Sequence, residues 1–318
     1  MSFSYTQVLL SISPVFGLVL IGVLLRARKW VAPEADTSIM RMVINCLYPC
    51  LIFENVLNNA TLRNPANLAA APLSGFIIVG GSIAAALYLG RLLGLTQGRG
   101  LRTFAFASGI NNYGYFALAV CAALFGHDSP TIGLTLVHTV GGEAAIWTVG
   151  IFVLSGLSLR EGWKKLINGP VIALALGLAL NLSGLREHLP GFLLEIIHRC
   201  ALCGLTIGII LIGCTLHEYL ARPALLWHSR VTPIACFLRL GIFPLLYLAT
   251  AKSLPLTHDL KHVLVIQAAM PAGMFPIAIA KHYNGQPLTA AQVVIGTTTL
   301  GILTIPLWIK LGMVWVGV

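Results

Sequence analysis

Residues 270–276, Met-Pro-Ala-Gly-Met-Phe-Pro, interrupt a long apolar segment and decide how the chain folds. Pro271 and Pro276 each lack a backbone donor and leave a carbonyl without its helical partner, while Gly273 lets the backbone leave helical geometry at little cost. A second interrupted segment holds Gly-Ile-Asn-Asn-Tyr-Gly-Tyr at residues 109–115. Because unpaired backbone groups are costly in apolar surroundings, the sequence predicts two broken helices whose breaks are covered either by protein or by a water-filled cavity.

The composition predicts a membrane protein. Of the 318 residues, 57% are hydrophobic and 9% are charged, with a mean hydropathy of +0.88, whereas a soluble domain carries roughly a quarter charged residues. Many apolar stretches reach or approach the ~20 residues that cross ~30 Å of hydrocarbon, which is too long for barrel strands. The fold class predicted is therefore all-α and integral to the lipid bilayer. The net charge of +10 comes from basic residues scattered between apolar segments, which favours topology signals over nucleic-acid binding.

We predict about ten transmembrane helices, of which the fourth and ninth are the interrupted ones. The seventh and tenth are long enough to be tilted. The ten segments are Thr6–Leu25, Ile39–Leu57, Pro72–Leu92, Thr103–Phe125, Thr131–Leu157, Gly169–Leu185, Phe192–His217, Val231–Ala251, His262–Lys281 and Leu288–Gly312.

The charges of the loops predict the orientation. Alternate loops differ in basic residues, and the richer set is expected in the cytoplasm. Both termini then lie outside a multi-pass cytoplasmic (inner) membrane. The richer set holds Arg26, Arg28, Lys29, Arg91, Arg99, Arg102, Arg160, Lys164, Lys165, Arg222, Arg230 and Lys281, and the poorer set holds Arg63, Arg186, Lys252 and Lys261.

The two halves of the chain resemble each other weakly. Residues 13–15 resemble residues 169–171 at an offset of 156, and residues 115–120 resemble residues 274–279 at an offset of 159. Either pair alone is weak, but two pairs at nearly one offset, each in the corresponding span, favour an internal repeat.

Each repeat would hold five spans, residues 1–160 and 161–318. Since five is an odd number of crossings, the second repeat enters the membrane from the opposite side, and the repeats are inverted. The broken fourth and ninth helices would cross near the midplane and point half-helix N-termini at a common cavity, which suits an anion. Simple kinking of the helices by Pro and Gly is the alternative.

The polar and small residues of the two breaks are the candidate binding residues. Amides in apolar surroundings need partners, so Asn111 and Asn112 are singled out, although helix–helix hydrogen bonding remains an alternative for one of them. The full set at the breaks is Asn111, Asn112, Tyr113, Gly114, Met270, Pro271 and Gly273.

These segments resemble the auxin efflux carrier family, which includes plant PIN proteins and bacterial carriers of malonate-type acids. Residues 112–119 resemble the family's fourth-span motif, and residues 270–276 with 280–284 resemble its Leu-Pro-Gln-Gly and Ala-Lys-x-Tyr-Asn runs. Residues 45–53 resemble its second span, which adds Asn45 as a substrate-binding candidate. The resemblance covers nearly the whole chain.

The resemblance implies a sodium/proton antiporter-like fold that moves as an elevator. It implies a scaffold of helices 1, 2, 6 and 7 and a transport unit of helices 3–5 and 8–10. No cofactor is expected. A homodimer through the scaffold helices is compatible with this division. Ala119 stands where the family usually has Pro, which predicts a less broken fourth helix.

Four of the ionisable residues within or near the spans are functional candidates. Glu143 is a candidate for proton coupling, with His138 as its companion, and a structural hydrogen bond is the alternative for both. Arg41 and Arg239 are expected to snorkel to the inner surface, with Arg239 the best basic candidate for attracting a ligand if it faces the cavity.

A carrier of small organic anions is the function that these features favour. The alternatives are a Na⁺-coupled organic-anion symporter of the bile-acid type and, less favoured, an intramembrane enzyme, for which the sequence lacks clustered Asp or a His-Glu metal motif. A channel would need a polar stripe along several spans. No metal site is expected.

Overall fold

The computed structural model describes residues 5–96, 100–155, 169–220, 230–283 and 285–318. All the regular elements in these ranges are helical. Seven of the described helices are long and apolar enough to cross a membrane. The all-helical membrane class predicted from composition is therefore confirmed.

Within the described ranges we number twelve helices in chain order. Two helical segments that are joined by a π-turn are counted as a single helix. They are α1 Tyr5–Ala27, α2 Ala35–Leu57, α3 Pro65–Leu92, α4 Leu101–Gly109, α5 Tyr115–Phe125, α6 (Pro130–Ala145 continuing to Ile151–Ser155), α7 Gly169–Ser183, α8 Gly191–Leu220, α9 Val231–Ser253, α10 His258–Ala269, α11 Phe275–His282 and α12 Pro287–Val316.

The two interrupted segments form pairs of short helices. The predicted span Thr103–Phe125 is divided into α4 and α5, and the predicted span His262–Lys281 is divided into α10 and α11. The predicted seventh and tenth spans correspond to α8 and α12, each of 30 residues. At the predicted sixth span, α7 has only 15 residues.

Capping residues explain where several helices begin. The side chain of Asn64 accepts a hydrogen bond from the Ala66 amide at the start of α3, and Ser129 does the same for Thr131 in α6. Thr257 caps α10 through the Leu260 amide. These residue types satisfy amide donors that a helix N-terminus leaves without partners.

Three of the described helices contain a π-turn of five residues. These turns lie at Val43–Leu47 in α2, Ile146–Gly150 in α6 and Leu238–Ile242 in α9. A π-turn inserts one residue into the helical register and is frequent at functional sites. The turn in α9 carries Arg239, and that in α6 follows Glu143 by one helical turn.

Helix packing forms two groups. In the first, α1 packs on α8, and α2 packs on α7 and α8. In the second, α3 packs on α4 and α6, while α9, α10 and α12 pack on one another and reach α4 and α6. Glycines bring backbones together in both groups. A Cβ on Gly213 of α8 would lie only 1.9 Å from the carbonyl oxygen of Val19 in α1. Likewise, a Cβ on Gly141 of α6 would lie only 1.7 Å from the carbonyl oxygen of Pro72 in α3. Small residues allow this close approach of membrane helices.

Candidate functional site

The breaks of the two interrupted segments meet and exchange backbone hydrogen bonds. The Asn112 amide donates to the Pro271 carbonyl at 2.7 Å, and the Gly273 amide donates to the Ile110 carbonyl at 3.0 Å. Asn111 and Ala272 form an isolated antiparallel bridge. Each broken segment thus satisfies backbone groups that the break in the other leaves unpaired. We call residues 110–114 and 270–274 the crossover.

A proline is not needed to break the first segment. α4 ends at Gly109 and α5 begins at Tyr115, although Ala119 replaces the Pro that is usual in the family. The expectation of a less broken helix is therefore wrong. Asn112 stabilises the start of α5, because its side-chain oxygen accepts a hydrogen bond from the Phe116 amide at 3.4 Å.

Gly273 is required by the closeness of the two backbones. A Cβ at this position would lie 2.9 Å from the carbonyl oxygen of Asn111. We expect Gly273→Ala to push the crossover apart and lower the free energy of unfolding by about 1–3 kcal/mol, as overpacking does. The matched control is Gly301→Ala on α12, where the added Cβ would lie at an ordinary 3.6 Å from Pro271. Unfolding midpoints of the two purified variants test this, and equal midpoints would contradict it.

Asn111 holds a buried side-chain network. Its amide nitrogen donates to Gln267 Oε1 at 2.5 Å, and its oxygen accepts from the Tyr247 hydroxyl at 3.1 Å. The Gln267 amide in turn donates to the Tyr113 carbonyl at 3.4 Å. Helix–helix hydrogen bonding was the alternative role for one of the two asparagines, and Asn111 has that role. Both the nitrogen and the oxygen of its side-chain amide already have partners within the protein.

The crossover amides that were expected to face a ligand are largely paired within the protein. Besides the two backbone pairs, the Ala272 amide donates to Thr297 Oγ1 at 3.1 Å, and the Tyr113 amide donates to the Asn111 carbonyl at 2.9 Å. The prediction of free donors is wrong for these amides. Any attraction for an anion must come from other groups.

Arg239 supplies a positive charge at the crossover. Its side chain is 0% exposed, so the expectation that it snorkels to the surface is wrong. Its Nε donates to the Met270 carbonyl at 3.1 Å and its Nη2 to the Gln267 carbonyl at 3.5 Å. The guanidinium carbon lies 5.8 Å from the ring centre of Phe243 and 5.5 Å from that of Tyr247. These contacts fix the cation at the C-terminal end of α10.

The Arg239 cation has no acidic partner within the part of the chain that the structure describes. Its Nη1 is buried and makes no hydrogen bond there. A buried guanidinium without a carboxylate is expensive, because it loses its hydration and gains only neutral partners. Among the described residues, Arg239 is therefore a costly buried charge that is balanced only by two carbonyls and two aromatic rings.

The ends of four helices meet at the crossover. α5 begins at Tyr115 and α11 begins at Phe275, so two positive ends of helix dipoles lie there. α4 ends at Gly109 and α10 ends at Ala269, which brings two negative ends. Arg239 donates to the terminal carbonyls of α10 and offsets its negative end.

Glu143 borders the crossover and is hydrogen-bonded on both oxygens. The Tyr113 hydroxyl donates to one oxygen at 2.7 Å, and the Trp147 indole N–H donates to the other at 3.0 Å. The side chain is half-buried. Because Tyr113 belongs to the crossover, a change in the charge of Glu143 would act directly on the Tyr113 hydroxyl and reach the crossover through that side chain.

His138 lies at a different contact. It is buried, and its Nδ1 lies 3.2 Å from both Ser74 Oγ and the Ala71 carbonyl oxygen on α3. Since a carbonyl only accepts, Nδ1 carries the proton of that hydrogen bond. The structure shows no hydrogen bond between His138 and Glu143 and gives His138 a place in α3–α6 packing.

Asn45 is not joined to the crossover by a hydrogen bond among the described residues. It is exposed on α2, and its amide donates to the Arg41 carbonyl one turn earlier.

Two residues of the crossover network, Gln267 and Tyr247, were not predicted from the sequence. A glutamine inside an apolar helix is itself a signal, since its amide needs partners, and it could have singled out Gln267.

A cavity of about 260 Å³ lies between the two helix groups. Glu54 of α2 lines it together with Asn58 just after that helix, and α8 contributes His198 and α5 contributes Leu118. Leu118 is one helical turn beyond Gly114, so the cavity extends alongside the half-helix that leaves the crossover.

The fold and the crossover together define a multi-pass membrane protein built around two broken helices. The sequence profile of the family described as "Membrane transport protein" matches residues 7–161 and 157–309. The chain belongs to this family of membrane transporters, which is of the auxin efflux carrier type. The resemblance noted from the sequence is thereby confirmed, and membership agrees with the expectation that the chain is not an enzyme.

Relatives from an archaeon and from plants are similar to the chain. An "Uncharacterized transporter" of Methanothermobacter thermautotrophicus is 27% identical over 303 residues, which are 92% of this chain and 95% of the relative. "Auxin efflux carrier component 3a" of Oryza sativa is 28% identical over 165 residues, and "Auxin efflux carrier component 2" of Arabidopsis thaliana is 27% identical over the same length. These alignments cover 51% of this chain and 26% and 25% of the two plant proteins, respectively.

Proposed function

We propose that this protein is a secondary transporter that carries a small organic anion across the cytoplasmic membrane. The observation that carries the proposal is Arg239, a buried cation at the crossover with an unpaired Nη1 and no acidic partner in the described ranges. A carboxylate in contact with the guanidinium would supply the missing charge and hydrogen bond. The helix N-termini of α5 and α11 add to this preference.

Alternating access by an elevator movement is the proposed mechanism. The ten crossings would form two inverted repeats, residues 1–160 and 161–318. The scaffold would consist of α1, α2, α7 and α8, and the other helices would form the transport unit. Support comes from the two packing groups, whose members fall on the two sides of this division, although α5 packs on helices of both sides. The cavity between them supports an access route to the anion site.

Coupling to Na⁺ is disfavoured because carbonyl oxygens at the break of the second interrupted segment already accept hydrogen bonds. Broken helices of transporters bind Na⁺ through carbonyls that the break frees. Here the carbonyls of Met270 and Gln267 accept hydrogen bonds from Arg239 instead. A cation at these oxygens would face the guanidinium, so we propose transport that does not need Na⁺.

A binding screen tests the substrate class. Purified protein is heated with mono- and dicarboxylic acids, each compared with its uncharged amide. We expect at least one acid to raise the unfolding midpoint in a concentration-dependent way while its amide has no effect, because a ligand that binds only the folded state stabilises it by mass action. Stabilisation by the amides as much as by the acids would refute an anion site.

The proposed topology leads to a labelling prediction. In a background without native cysteines, Cys at Gln97 or Gly162, two positions outside the described residues, should resist an impermeant reagent in intact cells because both are expected in the cytoplasm. Cys at His188, in the exposed turn before α8, should react from outside. Rapid labelling at Gln97 and Gly162 would overturn the orientation and the outside location of both termini.

A further inference from the structure

The first turns of α10 carry three potential metal ligands that lie apart from the crossover. His258, Asp259 and His262 each offer one ligand atom, and these atoms all lie within 4.8 Å of one another. We call these residues the His-Asp-His cluster. Residues spaced i,i+4 share one face of a helix, and the two imidazole rings indeed have centroids 4.5 Å apart in an edge-to-face arrangement.

The spacing and the residue types suit a transition metal. Two histidines separated by three residues on a helix bind Zn²⁺ in known metal motifs, and an Asp oxygen is a common third ligand. Tetrahedral Zn²⁺ with bonds of about 2.0–2.1 Å places its ligand atoms about 3.3 Å apart. His258 is exposed and Asp259 is half-buried, so these two side chains have room to rotate inward.

His262 is already held in place by packing. Its ring lies 4.8 Å from that of Phe125, at the C-terminal end of α5. Because one ligand is fixed before binding, less conformational entropy is lost when an ion arrives. The charge of Asp259 offsets part of the positive charge of the ion, while Lys261 on the intervening turn opposes it.

We propose that the His-Asp-His cluster binds a divalent transition metal ion of the Zn²⁺ class, with one coordination position left to solvent. None of the three residues belongs to the crossover, so the site is independent of the proposed transport function. An ion bound there would link His258 and Asp259 in the first turn of α10 to His262, whose ring packs on Phe125 of α5. An edge-to-face histidine pair that only packs at the helix start is the competing explanation.

Zn²⁺ titration of the purified full chain against a chromophoric chelator tests the proposal. The protein carries an affinity tag without histidine. The five cysteines that are exposed or half-buried are replaced by Ser so that their thiols do not compete for the ion, namely Cys46, Cys50, Cys200, Cys203 and Cys236. We expect one Zn²⁺ per chain. His258→Ala and His262→Ala should each remove this binding, and Asp259→Asn should weaken it by at least the roughly tenfold that loss of an outer-shell partner costs.

Two controls keep the result unambiguous. His188→Ala removes an exposed histidine elsewhere and should leave the stoichiometry unchanged. If His262→Ala unfolds because it loses its contact with Phe125, the exposed His258 decides the question alone. Equal Zn²⁺ binding by His258→Ala and the parent protein, or no binding by the parent, would overturn the proposal.

Discussion

Arg239→Met should abolish high-affinity anion binding while the helices remain assembled. Methionine is unbranched and replaces the aliphatic stem of the arginine, but it carries no charge and donates no hydrogen bond. Loss of a hydrogen bond to a charged group costs about 1.5–3 kcal/mol, which corresponds to roughly a 10- to 150-fold weaker affinity. The measurement is the dissociation constant of the best carboxylate from the screen.

Two further variants separate the charge from the fold. Arg41→Met removes an exposed arginine on α2 and should leave the affinity unchanged. Arg239→Lys keeps the charge but lacks the forked donors, so it should bind more weakly than the parent and more tightly than Arg239→Met. If Arg239 acts only by capping the carbonyls of α10, Arg239→Met will lose thermal stability without a selective loss of affinity, and the anion site will have to be placed elsewhere.

The second large effect is expected at Glu143. A carboxylate in the membrane that touches a crossover residue is a candidate proton carrier, and Glu143→Gln fixes it in an uncharged form. Uptake by the native protein should respond to an imposed pH gradient, and Glu143→Gln should flatten that response. Uptake into proteoliposomes at several pH values measures the difference.

The local hydrogen bonds make Gln a mild replacement at position 143. Its oxygen can accept from the Trp147 indole, and its NH₂ can donate to the Tyr113 hydroxyl, which is able to accept as well as donate. The matched control is Glu195→Gln on α8, where the native carboxylate pairs with Arg199 at 2.7 Å on an exposed surface. An unchanged gradient response in Glu143→Gln would mean that Glu143 serves only as a hydrogen-bond partner.

The sequence was sufficient to predict which helices break, because Pro and Gly act locally. Pro271 and Gly273 restrict or free the backbone at their own positions, whatever the tertiary structure. The weak repeat then paired the two breaks, and the backbone bond from Asn112 to Pro271 joins those same segments. Local chemistry and repetition were both visible in one sequence.

The side-chain partners at the crossover could not be predicted in this way. Arg239 lies in a π-turn, whose extra residue changes which face of α9 the arginine occupies. A π-turn depends on tertiary contacts, so a regular helical register misplaces the side chain. Similarly, Asn111 selects Gln267 and Tyr247 from helices far along the chain, and only the assembled structure defines those distances.

Counterflow in proteoliposomes tests the central claim most directly. Vesicles that contain the native protein are loaded with an unlabelled carboxylate identified by the screen, and entry of the labelled compound is followed. The account predicts saturable entry that is accelerated by the internal substrate and is lost in Arg239→Met but not in Arg41→Met. Entry that rises linearly with concentration, without acceleration, or that is equal in both variants, would contradict a carrier with its anion site at the crossover.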